Sequence, residues 1–173
     1  MEYCAAFGVI AMTGAMVGLR QRRESIMGDR SITGDIAYAI ARVAVTILFI
    51  ISGIGKFLNV AGFANSSGVT NFMNAFGEVT TRTTLGYIIA AIEVVGGILV
   101  LIGLKTRWAA IALLLFTACT IIFGHNFWTM EGGARAANQV QALKNLAIMS
   151  GLLVFAVMGS GRYSVDSVIT GRA

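Results

Sequence analysis

Four stretches of this chain are long and apolar enough to cross a hydrocarbon layer as helices, and that leaves few folds open. A spanning helix needs about 20 predominantly apolar residues. Ile36–Leu58 (IAYAIARVAVTILFIISGIGKFL) and Leu85–Leu104 (LGYIIAAIEVVGGILVLIGL) meet that length outright. The third stretch runs from Trp108 to about Phe127, and the fourth, the shortest, from about Leu143 to Gly159. Hydrophobic residues make up 57% of the chain and charged residues 12%, about half the charge of a typical soluble domain. Proline is absent while glycine occurs 21 times, a combination suited to unbroken helices with close-packing faces. The expected fold is an all-α membrane protein, a bundle of four transmembrane helices with the lipid bilayer as its solvent.

Two further segments extend that core. Tyr3–Leu19 is apolar and precedes the basic cluster Arg20, Gln21, Arg22, Arg23, with Glu2 in front of it. A secretory signal carries its positive charge before the apolar run, so an extra N-terminal hydrophobic helix is expected. In the first outer loop, Val69, Phe72, Met73 and Phe76 recur at helical spacing after Ser66 and Ser67, with Asn71 and Asn74 on the other face. That pattern predicts a short interfacial helix. The domain reading is residues 1–35 as apolar segment plus basic linker, 36–166 as the membrane domain and 167–173 as a short tail.

The net charge of +5 forms no extended basic stripe, which excludes nucleic acid as a partner. The basic residues mark topology instead. Arg20, Arg22, Arg23 and Arg30 precede the first span, Lys105 and Arg107 fill the second-to-third connection, and Arg162 and Arg172 follow the fourth. Arg82, Arg135, Lys56 and Lys144 belong to the other side. The C-terminus is therefore expected in the cytoplasm. Cys4 and Cys119 make no dithiol motif and His125 is the single histidine, so a metal site within this chain is not expected.

Function is best sought among ionisable groups inside the apolar runs, since a charge at a helix centre costs about 2.5–3.5 kcal/mol on insertion scales. Glu93 lies mid-way along the second span. Gly86, Ala90, Gly97 and Val100 share its face, and small residues mark where another helix packs closely. Glu93 is therefore expected to point into the bundle, either as structural glue or as a proton or ligand contact. Arg42 and Lys56 share one face of the first span, about four turns apart. Either base can be its partner, with Arg42 the candidate for a buried ion pair. At the outer mouth, His125 and Asn126 close the third span beside Phe127 and Trp128, and Lys144 with Asn145 begins the fourth. The candidate polar site comprises Glu93, His125, Lys56, Lys144, Asn126 and Asn145, and no residue is assigned a catalytic role. No dinucleotide fingerprint, phosphate-binding loop, zinc-protease motif or nucleophile elbow occurs.

These residues also carry a family resemblance. The stretches RVAVTILFIISGIGKF (Arg42–Phe57), EVVGGILVLIGLKTRWAA (Glu93–Ala110), HNFW at 125–128, and KNLAIMSGLL with the closing GSGRYSVD, between Lys144 and Asp166, make the chain resemble the DoxX family of small bacterial membrane proteins. The resemblance covers about residues 36–166. It implies a four-helix bundle in the bacterial inner membrane and a link to sulfur, quinone or oxidative-stress redox complexes. Carried onto this chain, the positions are Arg42, Lys56, Glu93, His125, Lys144 and Asn145. The sequence holds no paired thiols, no haem ligand set and no flavin fingerprint, so no intrinsic cofactor is expected and quinone is the group the resemblance brings in.

The expected function is an integral inner-membrane subunit or scaffold of such a redox-linked complex. Its partners would be membrane or membrane-associated proteins, with homo-oligomerisation left open. The alternatives are a non-catalytic assembly or interaction protein and a transporter of a small anion or proton. Enzyme activity is left open: a subunit of an oxidoreductase complex ranks first, an independent enzyme behind it and a transporter last.

Overall fold

A computed structural model describes residues 32–171 of the chain. The apolar segment Tyr3–Leu19 lies outside the described residues. By internal packing the chain divides into Met1–Tyr38 and Ala39–Ala173, and the architecture below is that of the second unit. All described secondary structure is helical. Helix α1 covers Ile32–Leu58, followed by the short helices α2, Val60–Ala64, and α3, Ser67–Phe76. Helix α4 covers Arg82–Ile102 and α5 Thr106–Cys119, which continues through a π-helical turn, Thr120–Gly124, and a 3-10 turn, Phe127–Thr129. The long α6, Gly132–Met158, and the short α7, Val165–Ile169, complete the order.

Four of these units are long and apolar enough to span a membrane: Ile32–Leu58, Arg82–Ile102, Thr106–Thr129 and Gly132–Met158. The four expected spans are present. The fourth starts well before Leu143, because Ala, Gln and Arg in GGARAANQVQ are good helix formers and carry α6 past the apolar run. The third leaves α-helical geometry at Cys119; there the His125 amide reaches back to the Thr120 carbonyl, 3.0 Å away, the five-residue step of a π turn.

Local chemistry sets the element ends. Thr81 caps α4 by accepting from the Thr84 amide at 3.2 Å, satisfying an otherwise orphaned donor. At the far end Gly103 takes the left-handed conformation, φ 74°. The Leu104 amide then reaches Leu99 and the Gly103 amide Val100, a Schellman stop. Lys105, φ 48°, completes the tight turn into α5.

Small residues decide which helices touch. A Cβ built on Gly53 would stand 2.7 Å from Val94 Cγ2 and 2.9 Å from the Ala90 carbonyl oxygen. One on Gly97 would meet Ile50 at 2.9 Å. These glycines therefore let α1 and α4 approach backbone to backbone. Gly96 receives Leu113 of α5, and Gly151 of α6 lies against Val45 of α1. The order around the bundle is thus α1, α4, α5, α6 and back to α1.

Its interior holds Ala90, Val100, Leu113 and Leu152, while large apolar side chains such as Leu58, Trp108 and Val157 stand exposed. An exterior as apolar as the interior suits a hydrocarbon surrounding. Helix α3 forms as expected, and part of its apolar face is covered by protein: Val69 and Met73 are buried with Leu85, Phe63, Phe72 and Ile89 pack on them, and Phe76 stays exposed. The Asn71 side chain donates to the Phe123 carbonyl at 2.9 Å, which ties α3 to the π turn.

Candidate functional site

The face of α4 that carries Glu93 is the buried one, made of Gly86, Ala90, Glu93, Gly97 and Val100, and Glu93 itself is only 4% exposed. Helical side chains lean toward the N-terminus of their own helix. On α1 that lean carries Lys56 back along the helix; on the antiparallel α4 it carries Glu93 the opposite way, so the two meet. The Lys56 ammonium lies 2.6 Å from Glu93 Oε2. It also donates to Ser52 Oγ at 2.6 Å, one turn earlier on α1. The Ser52 hydroxyl lies 3.2 Å from Glu93 Oε1 and 3.4 Å from Oε2.

This cluster is buried on one side and open on the other. Glu93 is enclosed, the Lys56 side chain is 18% exposed, and Ser52 is exposed. The Lys56 nitrogen stands 5.2 Å from the centroid of the Phe63 ring, inside the range of a cation–π contact. A lysine ammonium has three N–H donors; two go to Glu93 and Ser52, and the third is left with the ring face. Ser52 was legible only as the residue one helical turn before Lys56.

Arg42 goes elsewhere. It is buried, and its guanidinium donates to the carbonyl oxygens of Ser160 and Tyr163 in the loop after α6. That loop closes on the α4–α5 turn, where the Asp166 amide donates to the Gly103 carbonyl at 3.0 Å. A Cβ on Gly103 would meet Ser164 Cβ at 2.4 Å and Arg42 Nη1 at 2.8 Å. The open alternative between the two bases thus resolves to Lys56 beside Glu93, and Arg42 holds the C-terminal loop to the bundle.

The remaining candidates form separate contacts at the α5–α6 end. His125 Nδ1 lies 3.1 Å from Asn138 Oδ1. The Asn145 amide donates to Thr120 Oγ1 at 3.1 Å, and the Asn126 amide to Thr129 Oγ1 at 3.0 Å. Lys144 is exposed on α6. Among the described residues, no hydrogen bond or ion pair joins His125, Asn126, Lys144 or Asn145 to Glu93. Asn138, which orients His125, gave no signal beyond being a polar residue on α6. No group of three or more potential metal ligands occurs among the described residues.

The DoxX family model matches residues 37–126, more than half of the chain. The chain belongs to the DoxX family. It is 35% identical over 128 residues to the Escherichia coli inner membrane protein YphA, covering 73% of this chain and 86% of that one. It is 33% identical over 136 residues to the E. coli inner membrane protein YqjF, covering 78% and 93% respectively. A shorter match, 34% over 73 residues, covers 42% of this chain and 48% of the Bacillus subtilis protein named "Putative oxidoreductase CatD". No solved structure matches. As a DoxX protein with two inner-membrane relatives along most of its length, the chain is a multi-pass inner-membrane protein.

Proposed function

We propose that this DoxX chain is the membrane-embedded subunit or scaffold of a redox-linked complex, and that Lys56, Glu93 and Ser52 form its ligand site. The observation that carries the reading is a charged pair at 2.6 Å, enclosed on the Glu93 side and open at Ser52, within apolar helices where isolated charges are costly. The name of the B. subtilis relative supports the redox link. The donor set suits a quinone, whose carbonyl oxygen can take the Lys56 N–H now resting on the Phe63 ring. Bound there, a quinone supplies an acceptor for electrons delivered by a partner subunit. Lys56 would hold and polarise the carbonyl oxygen, and Glu93 would relay the accompanying proton, taking it as a carboxylate and giving it only once protonated. In this reading the C-terminal end of the bundle faces the cytoplasm, which the basic residues Lys105, Arg107 and Arg162 support.

The test is Glu93→Gln in native membranes, with quinone binding and quinone-linked electron transfer measured per folded molecule. Loss of a charge-assisted contact made in the reacting complex lowers activity by about tenfold or more. Unchanged binding and turnover in folded protein would end this reading.

A second reading has its own observation. The ion pair sits beside the Gly53–Ala90 approach of α1 and α4, where it can serve as glue in a non-catalytic assembly protein. In that case Glu93→Gln lowers abundance and leaves activity per molecule of any associated complex unchanged.

A further inference from the structure

The seam between α1 and α6 is closed near one end and open near the other. It is closed where Gly151 meets Val45, a Cβ built on Gly151 lying 3.3 Å from Val45 Cγ2. Seven residues further along α1 stands Ser52; seven residues back along antiparallel α6 stands Lys144. A step of seven is nearly two whole helical turns, about 10 Å of rise, so Ser52 shares the flank of Val45 and Lys144 that of Gly151. Both are nonetheless exposed. On α6, Asn145 is bonded to Thr120 and Asn138 to His125, which commits the neighbouring face of this half of the helix to the end of α5 and leaves Lys144 exposed. Nothing lies within 4 Å of a Cβ built on Gly55, one turn above Ser52.

The resulting opening carries a charge imbalance. Lys56 is matched by Glu93, whereas Lys144 has no hydrogen bond or ion pair among the described residues. It lies 14 residues from the end of α6 at Met158, about 21 Å along the axis, and a hydrocarbon layer is about 30 Å thick. Its side chain leans toward the N-terminus of α6, bringing the ammonium up to the level of the interface. Exposed Leu143, Leu146 and Val140 surround it, so the position is bounded by lipid and not by a solvated polar face.

We infer that the exposed flank of α6 around Lys144, beside the α1–α6 seam, is a binding site for an amphiphile bearing an oxyanion, with the anionic group on the Lys144 ammonium and the hydrocarbon tail along Val140, Leu143 and Leu146. A single negative charge neutralises the local excess, and the apolar surround accommodates the tail. The site uses none of Ser52, Lys56 and Glu93, needs no electron transfer and stands apart from the quinone reading.

The experiment uses the purified full chain in mild detergent, with bound lipid counted by native mass spectrometry against phosphatidylglycerol, phosphatidylcholine and inorganic phosphate. Phosphatidylglycerol is expected to bind in preference to phosphatidylcholine. Lys144→Gln is expected to weaken that binding by roughly tenfold, the loss of a hydrogen bond to a charged group, and Lys144→Arg to restore it. Quinone binding is expected to survive Lys144→Gln, so failure here and failure of the quinone reading are separate results. Equal binding of the two lipids, or no effect of Lys144→Gln in folded protein, overturns the inference. Displacement of the lipid by inorganic phosphate at similar concentration overturns the amphiphile and leaves a site for free oxyanions.

Discussion

At the scale of single residues, the two partners of the ion pair are not equivalent. Lys56 is near the end of α1 and partly exposed, whereas Glu93 is mid-helix and 4% exposed. If Glu93 becomes Gln, the freed lysine can swing along its flexible stem to the interface, and the cost is about 1 kcal/mol, one lost polar contact. If Lys56 becomes Met, the carboxylate stays where it is with only Ser52 beside it. That cost approaches the penalty for an unpartnered charge, about 3 kcal/mol. Lys56→Met is therefore expected to lower the thermal unfolding midpoint in detergent more than Glu93→Gln does; equal or reversed shifts would contradict the asymmetry. The inward face of Glu93 was legible from the spacing of Gly86, Ala90 and Gly97. Its partner was not, because Arg42 and Lys56 share a face in sequence, and the loop carbonyls that engage Arg42 come from residues about 120 positions away.

At the scale of helices, glycine position outweighs glycine number. Gly53 and Gly55 sit two residues apart in one helix, yet a Cβ on Gly53 would stand 2.7 Å from Val94 and 2.9 Å from the Ala90 backbone, while one on Gly55 meets nothing. Gly53→Ala is expected to push α1 off α4 and cost about 1–3 kcal/mol, the range of overpacking. Gly55→Ala is expected to stabilise by up to about 1 kcal/mol through helix propensity. Paired unfolding curves of the two variants check both signs, and a destabilised Gly55→Ala would refute the propensity argument. The four spans themselves were readable from apolar run length alone. The upward extension of α6 was not, since GGARAANQVQ is not apolar and its helicity comes from local propensity and the His125–Asn138 contact. The π turn at Thr120–Gly124 likewise has no marker in composition or spacing.

At the scale of the whole molecule, charge distribution determines how the bundle should sit in the bilayer. Along the sequence, Arg20, Arg22, Arg23, Arg30, Lys105, Arg107, Arg162 and Arg172 flank one side of the spans, against Lys56, Arg82, Arg135 and Lys144 on the other. Arg42 ties the C-terminal loop to the α4–α5 turn on the first side, and Arg82 starts α4 on the second. Retention of the more basic end in the cytoplasm puts Glu78, in the loop before α4, outside and Thr170, just beyond α7, inside. Both positions are exposed and accept a reporter. In a background with Cys4→Ser and Cys119→Ser, a membrane-impermeant maleimide added to intact cells, with the outer membrane permeabilised where one is present, is expected to label Glu78→Cys. The same reagent is expected to reach Thr170→Cys only after the inner membrane is opened. The opposite pattern would invert the bundle, move the open end of the α1–α6 seam to the cytoplasmic leaflet, and require the anionic amphiphile to come from that leaflet instead.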